Sequence, residues 1–296
     1  YVGDLLRAGR GTEIDTAKAV SYYRLAADSN IMEAQYQLAK IISDKGASKA
    51  DIDEAIILFD KAARQGDARS QLVLGIYYDE GSVVPADKQR AEDYLIMAAE
   101  QSLEAAQFRL AQIYNSGAIE GKTAADSLPF YQAAANQGHV GAHYFLARLY
   151  DTGKGTAQDH ALAVRYYQLP AEKLYLDANW RLGVLARDGL GMAPNVKEME
   201  RLFLIASRQG DVRAQRALGK AYRNGKALGQ NYEKAISFLK LAIKQQDRDA
   251  QFILGQMRMR GEGGDINLED AVLNFRKAAN NGHMLAQCTL AEMLHR

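Results

Sequence analysis

Cysteine is nearly absent. Cys288 is the only one in 296 residues, which excludes an internal disulfide framework and any zinc site built from cysteines. Proline occurs four times and tryptophan once, at Trp180. No apolar run approaches the ~20 residues that span a bilayer, so membrane insertion is not expected of this segment. Charge of one sign is missing too: 37 basic and 36 acidic side chains leave a net +1, too little for a general pull toward nucleic acid or anionic lipid. What remains is 48% hydrophobic, ordinary for a folded chain, and its abundant alanine and scarce proline favour helices.

The dominant signal is self-similarity. With the small residue of Ala34-Gln35-Tyr36-Gln37-Leu38-Ala39 as offset zero, the pattern returns at Ser70, Ala106, Ala142, Ala178, Ala214, Ala250 and Ala286, always 36 residues on. Offset four is leucine every time, from Leu38 to Leu290, and offset five is Gly or Ala. Offset eight is often tyrosine, as in Tyr78, Tyr114, Tyr150 and Tyr222. Offsets zero, four and eight share one face of a 3.6-residue helix, so they define the buried side of a first helix, A. Gly81, Gly117, Gly153, Gly189, Gly225 and Gly261 follow at offset eleven, where a left-handed cap is expected.

A second helix, B, is announced at offset seventeen by Asp15, Asp51, Asp87, Thr123, Asp159, Asn195, Asn231 and Asn267. All are good N-caps. Alanines at offsets 21 and 28 mark its inner face, and Gly66, Gly138, Gly210 and Gly282 are expected to end it. Pro170 breaks the rule at offset 28, and Leu174 replaces the glycine. That helix is therefore expected to end or bend near Leu169, changing the superhelix angle. Val2, Gly3 and Leu6 fit offsets four, five and eight of an incomplete first unit, and Arg296 lies at offset ten of an incomplete last one. The whole of 1–296 reads as a single domain of stacked helical hairpins, part of a longer polypeptide.

Strings such as Ser70 to Gly81 (SQLVLGIYYDEG) and Asp265 to Gly282 (DINLEDAVLNFRKAANNG) resemble the Sel1-like repeat (SLR) family, relatives of tetratricopeptide arrays. The resemblance implies an all-α fold, a right-handed α/α superhelical solenoid of about eight 36-residue repeats. It implies a non-catalytic protein-binding scaffold rather than an enzyme. For bacterial members it favours a periplasmic or exported adaptor of an envelope, secretion or virulence assembly. An exopolysaccharide-export scaffold is an alternative within that class. A weak β-lactamase-like branch of the family carries paired cysteines, which this chain lacks.

In tetratricopeptide-like arrays, offsets two, six and nine of helix A line a concave groove. By that analogy the partner-binding candidates are Tyr36, Phe108, Tyr144, Arg148, Trp180, Arg187, Arg216, Lys220, Arg223 and Phe252. Aromatic anchors flanked by arginine resemble interface hot spots, although the same rings could instead pack half-buried between A helices. Residues 1–148 carry net −5 and 149–296 net +6, so the second half is expected to accept an acidic peptide, loop or carboxylate-bearing polymer. No nucleic-acid recognition motif is present. His139 and His143 have metal-ligand spacing, but with no third ligand they read as residues at the start of helix A. No cofactor and no catalytic constellation is expected.

Overall fold

The computed structural model describes residues 15–43 and 48–295, and among these there are sixteen α-helices and no strand. They are α1 (Thr16–Asp28), α2 (Met32–Ser43), α3 (Lys49–Arg64), α4 (Ala68–Glu80), α5 (Lys88–Glu100), α6 (Glu104–Ser116), α7 (Ala124–Asn136) and α8 (Val140–Thr152). Then follow α9 (His160–Glu172), α10 (Leu176–Asp188), α11 (Val196–Arg208), α12 (Val212–Asn224), α13 (Tyr232–Lys244), α14 (Arg248–Arg260), α15 (Leu268–Asn280) and α16 (Met284–His295). Even-numbered helices are the A helices and odd-numbered ones the B helices. Val2, Gly3 and Leu6 of the incomplete first unit, and Arg296, lie outside the described residues.

The chain divides into two compact units, Tyr1–Leu149 with Gly153–Ala157, and Tyr150–Thr152 with Gln158–Arg296. In the first, α2 packs on α3, α4 on α5 and α6 on α7, and α4 also touches the next A helix, α6. In the second, α10 packs on α11, α12 on α13 and α14 on α15, while α12 touches α14. Each unit is thus an α/α solenoid segment, as the repeat demands. The offset-zero residues are buried in every repeat, and the offset-four leucines are buried from Leu38 to Leu254. The small residue at offset five is a steric necessity: a Cβ on Gly183 would stand 2.5 Å from the Phe203 ring.

Capping follows the sequence with one correction. Asp15, Asp87, Asp159, Asn195, Asn231 and Asn267 each accept from a backbone N–H of the first turn. Asp51 does not cap α3. Ser48 does, and Asp51 sits three residues inside the helix and accepts in return from the Ser48 N–H at 3.0 Å. This reciprocal capping box starts α3 earlier than its siblings.

The expectation at Pro170 is also corrected in part, because α9 runs through it to Glu172. The ring takes one amide out of the ladder, but the ladder resumes after it, the N–H of Lys173 reaching the Leu169 carbonyl at 3.1 Å. The B-to-A turn then needs a left-handed residue whatever stands there. Gly66, Gly138, Gly210 and Gly282 have φ between 79° and 97°, and Asn30, Ser102, Leu174 and Gln246 adopt φ of 60–61° at the same offset. Those four are the non-glycine residues with positive φ among the described residues. Glycine and non-glycine alternate, so the period that matters at this turn is two repeats.

Candidate functional site: a cleft at Trp180

The same two-repeat alternation governs the rings at offset two. Tyr36 packs on Phe59 with centroids 6.1 Å apart, and the Arg69 guanidinium covers it at 4.0 Å. Phe108 packs on Tyr131 at 5.9 Å and is covered by His139 at 4.1 Å. Trp180 stacks on Phe203 at 4.9 Å and is covered by Arg213 at 5.3 Å. Phe252 packs on Phe275 at 5.5 Å and is covered by His283 at 4.4 Å. Each ring therefore has one face on the following B helix and the other under a side chain from the start of the next A helix. All four are half-buried. They pack as walls between repeats and stay partly accessible.

His139 takes the capping role read from its position, and His283 repeats it. His139 Nδ1 accepts from the Ala142 N–H at 3.0 Å and His283 Nδ1 from the Ala286 N–H at 3.1 Å. No group of three or more potential metal ligands occurs among the described residues.

The ten candidates do not converge on one place. Tyr36 and Phe108 sit in separate walls of the first unit, and Tyr144 pairs with Arg148, whose guanidinium lies 5.8 Å over the ring. Phe252 belongs to its own wall in the second unit. Arg223 bonds Glu262 and donates to Gln256 at 3.0 Å, outside the cleft that gathers the rest. Trp180, Arg187, Arg216 and Lys220 do come together. With Arg213, Lys226, Met199 and Phe203 they line a cleft of about 350 Å³ on α10, α11, α12 and the turn after α12. Ala217, Ala221 and Ala227 also line it, and no carboxylate does. The sequence reading did not include Arg213 among its candidates. It missed Lys226, which lies past the glycine cap and so outside any helical stripe.

Charge in this cleft is of two kinds. Arg187 is held by Asp188 in a two-point pair at 2.7 and 2.9 Å. Arg213 is shared by Asp177 and Asp211, and Arg216 by Asp247 and Asp249. Hydrogen bonding to Asp211 raises the Arg213 guanidinium above its usual value, against the opposing effect of burial, and Asp177 adds to the rise. Hydrogen bonding to Asp188 does the same for Arg187. Lys220 and Lys226 are exposed and have no carboxylate within salt-bridge distance among the described residues. Elsewhere on the A helices, Arg181 turns to the buried Asp151, with Nη2 2.8 Å from Oδ1, and Arg258 pairs with Asp270 at 2.8 Å.

Repeated helical hairpins, capped by the same residues at a fixed spacing and carrying a cleft on the A-helix row, define the α/α repeat class. A model of the Sel1 repeat matches residues 1–31, 33–67, 68–103, 104–139, 140–173, 176–211, 212–247 and 248–283, and the chain belongs to the Sel1 repeat family. It is similar to c5321, a protective antigen of uropathogenic Escherichia coli with an SLR fold: 27% identity, TM-score 0.86, covering 100% of this chain. The match spans 63% of the length of c5321. A Sel1 repeat protein from Oxalobacter formigenes is 28% identical with a TM-score of 0.64, over 94% of this chain and 81% of that one. No curated protein matches the chain.

Proposed function

We propose that this chain is a non-catalytic scaffold that binds another protein on its A-helix row, with the Trp180 cleft as the anchor. Sel1 repeats are commonly protein-interaction scaffolds, which supports the class. The cleft carries the site: an aromatic edge, a small-residue floor and a cationic rim occur together on exposed surface, a combination typical of binding hot spots. Contacts between successive A helices within each unit support the A row as the inner, concave side. The excess of basic residues after residue 148 and the all-basic charged lining of the cleft favour an acidic segment on the partner.

The likeness to a protective antigen of a uropathogen supports an exported or periplasmic setting and a role in an envelope, secretion or virulence assembly. That all the repeats act as one domain belongs to the same proposal. The test is affinity capture from native lysate with wild type and with Lys220→Glu/Lys226→Glu, both shown to fold by circular dichroism. A protein partner held by wild type and lost by the variant supports the reading. Equal capture by both overturns the site.

A further inference from the structure

Resting on that reading, we propose that the Trp180 cleft selects an extended protein segment carrying one carboxylate beside one apolar side chain, and that Lys220 and Lys226 alone read the charge. Five cationic side chains line the cleft, yet three are already committed. Arg187, Arg213 and Arg216 each face one or two carboxylates of their own chain. Their positive charge is already offset, most firmly for Arg213 and Arg216, whose partners Asp211 and Asp247 are shielded from water, so a ligand anion gains less from them than from an uncompensated cation. Lys220 and Lys226 hold the uncompensated positive charge of the rim.

The rest of the cleft sets the other half of the preference. Phe203 stacks on Trp180 at 4.9 Å and the Arg213 guanidinium lies over the ring at 5.3 Å, so the indole already has its stacking partners and a ligand meets chiefly its edge. Ala217, Ala221 and Ala227 leave room for a backbone to pass close to the surface. A volume of about 350 Å³ lies at the small end of ligand pockets. It suits one or two side chains of an extended segment. A phosphate polymer would bring more negative charge than two free cations can balance and would find no open aromatic face to stack on.

Trp180 is the only tryptophan among 16 tyrosines, so emission excited at the red edge, where tyrosine does not absorb, reports on this cleft without a label. The probes are capped octapeptides on an alanine background, one with adjacent leucine and glutamate, one with leucine and glutamine, one with leucine and three glutamates, and a short oligothymidylate. The expected result is saturable change with the Leu–Glu peptide and binding at least about tenfold weaker with Leu–Gln, the loss of one charge-assisted bond. The three-glutamate peptide should gain less than about threefold, because only two cations are free. In Lys220→Gln/Lys226→Gln the Glu and Gln peptides should bind alike.

A tenfold gain from the extra glutamates, or a glutamate preference surviving in the double variant, overturns the inference by bringing the arginines into play. Tighter binding of oligothymidylate than of Leu–Glu peptide overturns it in favour of a nucleic acid. Absence of any peptide response also overturns it. The capture experiment with intact partner proteins decides separately whether the scaffold reading stands.

Discussion

Gln101 donates through Nε2 to Oε1 of Gln71 at 2.8 Å, and Gln71 in turn donates to the Ala63 carbonyl at 3.0 Å. One B helix, the A helix after it and the end of the next B helix are thereby joined by two side-chain amides. The link recurs as Gln65–Gln35, Gln137–Gln107, Gln245–Gln215 and Asn281–Gln251, at 2.6 to 3.1 Å. Gln71 is buried and makes both bonds, so its loss removes two side-chain hydrogen bonds at once, although the Gly66 N–H still serves the Ala63 carbonyl at 3.0 Å. Gln71→Leu, which keeps most of the volume, should cost about 1–3 kcal/mol, whereas Gln101→Ala, at an exposed position, should cost less than about 1 kcal/mol. Urea titration of both single variants and the double variant checks this, and additive losses would mean that the amides are not coupled.

Leu174 tests the turn. It holds φ of 60° where Gly66, Gly138 and Gly210 stand in other repeats, and its side chain is 59% exposed. Leu174→Gly gives up little burial and removes a left-handed conformation that costs a residue with a Cβ roughly 1 kcal/mol. It should therefore stabilise the chain by about that amount. Gly66→Leu should cost a similar amount, since a Cβ there meets no atom within 4 Å and only the backbone objects. Thermal unfolding of the pair should move in opposite directions.

The helices, their order, the glycine caps and the leucine core were legible because each is set by a residue repeating at one offset in every unit. The two-repeat alternation was not. It depends on which partner stands at another offset, such as Phe59 beneath Tyr36 or Arg213 above Trp180, and a search for identity at a single offset passes over it. The glutamine link was missed because Gln71 and Gln101, although in one unit, lie thirty residues apart on different helices, and only the folded hairpin brings them together. Four members of the cleft were legible as a stripe on helix A. Which cations are already neutralised was not, since Asp177, Asp247 and Asp249 reach them from neighbouring repeats.

Several tyrosines should report the fold at high pH. Burial, then hydrogen bonding to Asp60, pushes the Tyr94 hydroxyl up to about 12, and burial with the Glu200 bond pushes Tyr222 up to about 12. A phenol whose folded value lies above its unfolded value of ~10 contributes stability that is fully present below that value and is lost as pH rises through the folded one. The tyrosinate absorbance of the native chain should therefore rise in at least two steps, with a late fraction near pH 12. In concentrated urea one step near ~10 should replace them. Tyr94→Phe should reduce the late fraction, and an unchanged native curve would count against the Tyr94–Asp60 bond.

Trp180→Ala is the obvious probe of the cleft, and the structure argues against using it alone. The indole is sandwiched between Phe203 and Arg213, and Phe203 is only 1% exposed. Truncation would open the wall between two repeats and expose Phe203, at a cost of about 2–4 kcal/mol, near the range for aromatic-to-alanine changes in cores and discounted for the exposed edge. Trp180→Phe retains a ring on Phe203 and should cost less than about 1.5 kcal/mol. Lys220→Gln and Lys226→Gln remove exposed, unpaired charges and should leave the unfolding midpoint nearly unchanged. Urea unfolding of all four variants separates wall from rim. If Trp180→Ala proves as harmless as the lysine changes, the ring is a free anchor and not part of the packing between repeats.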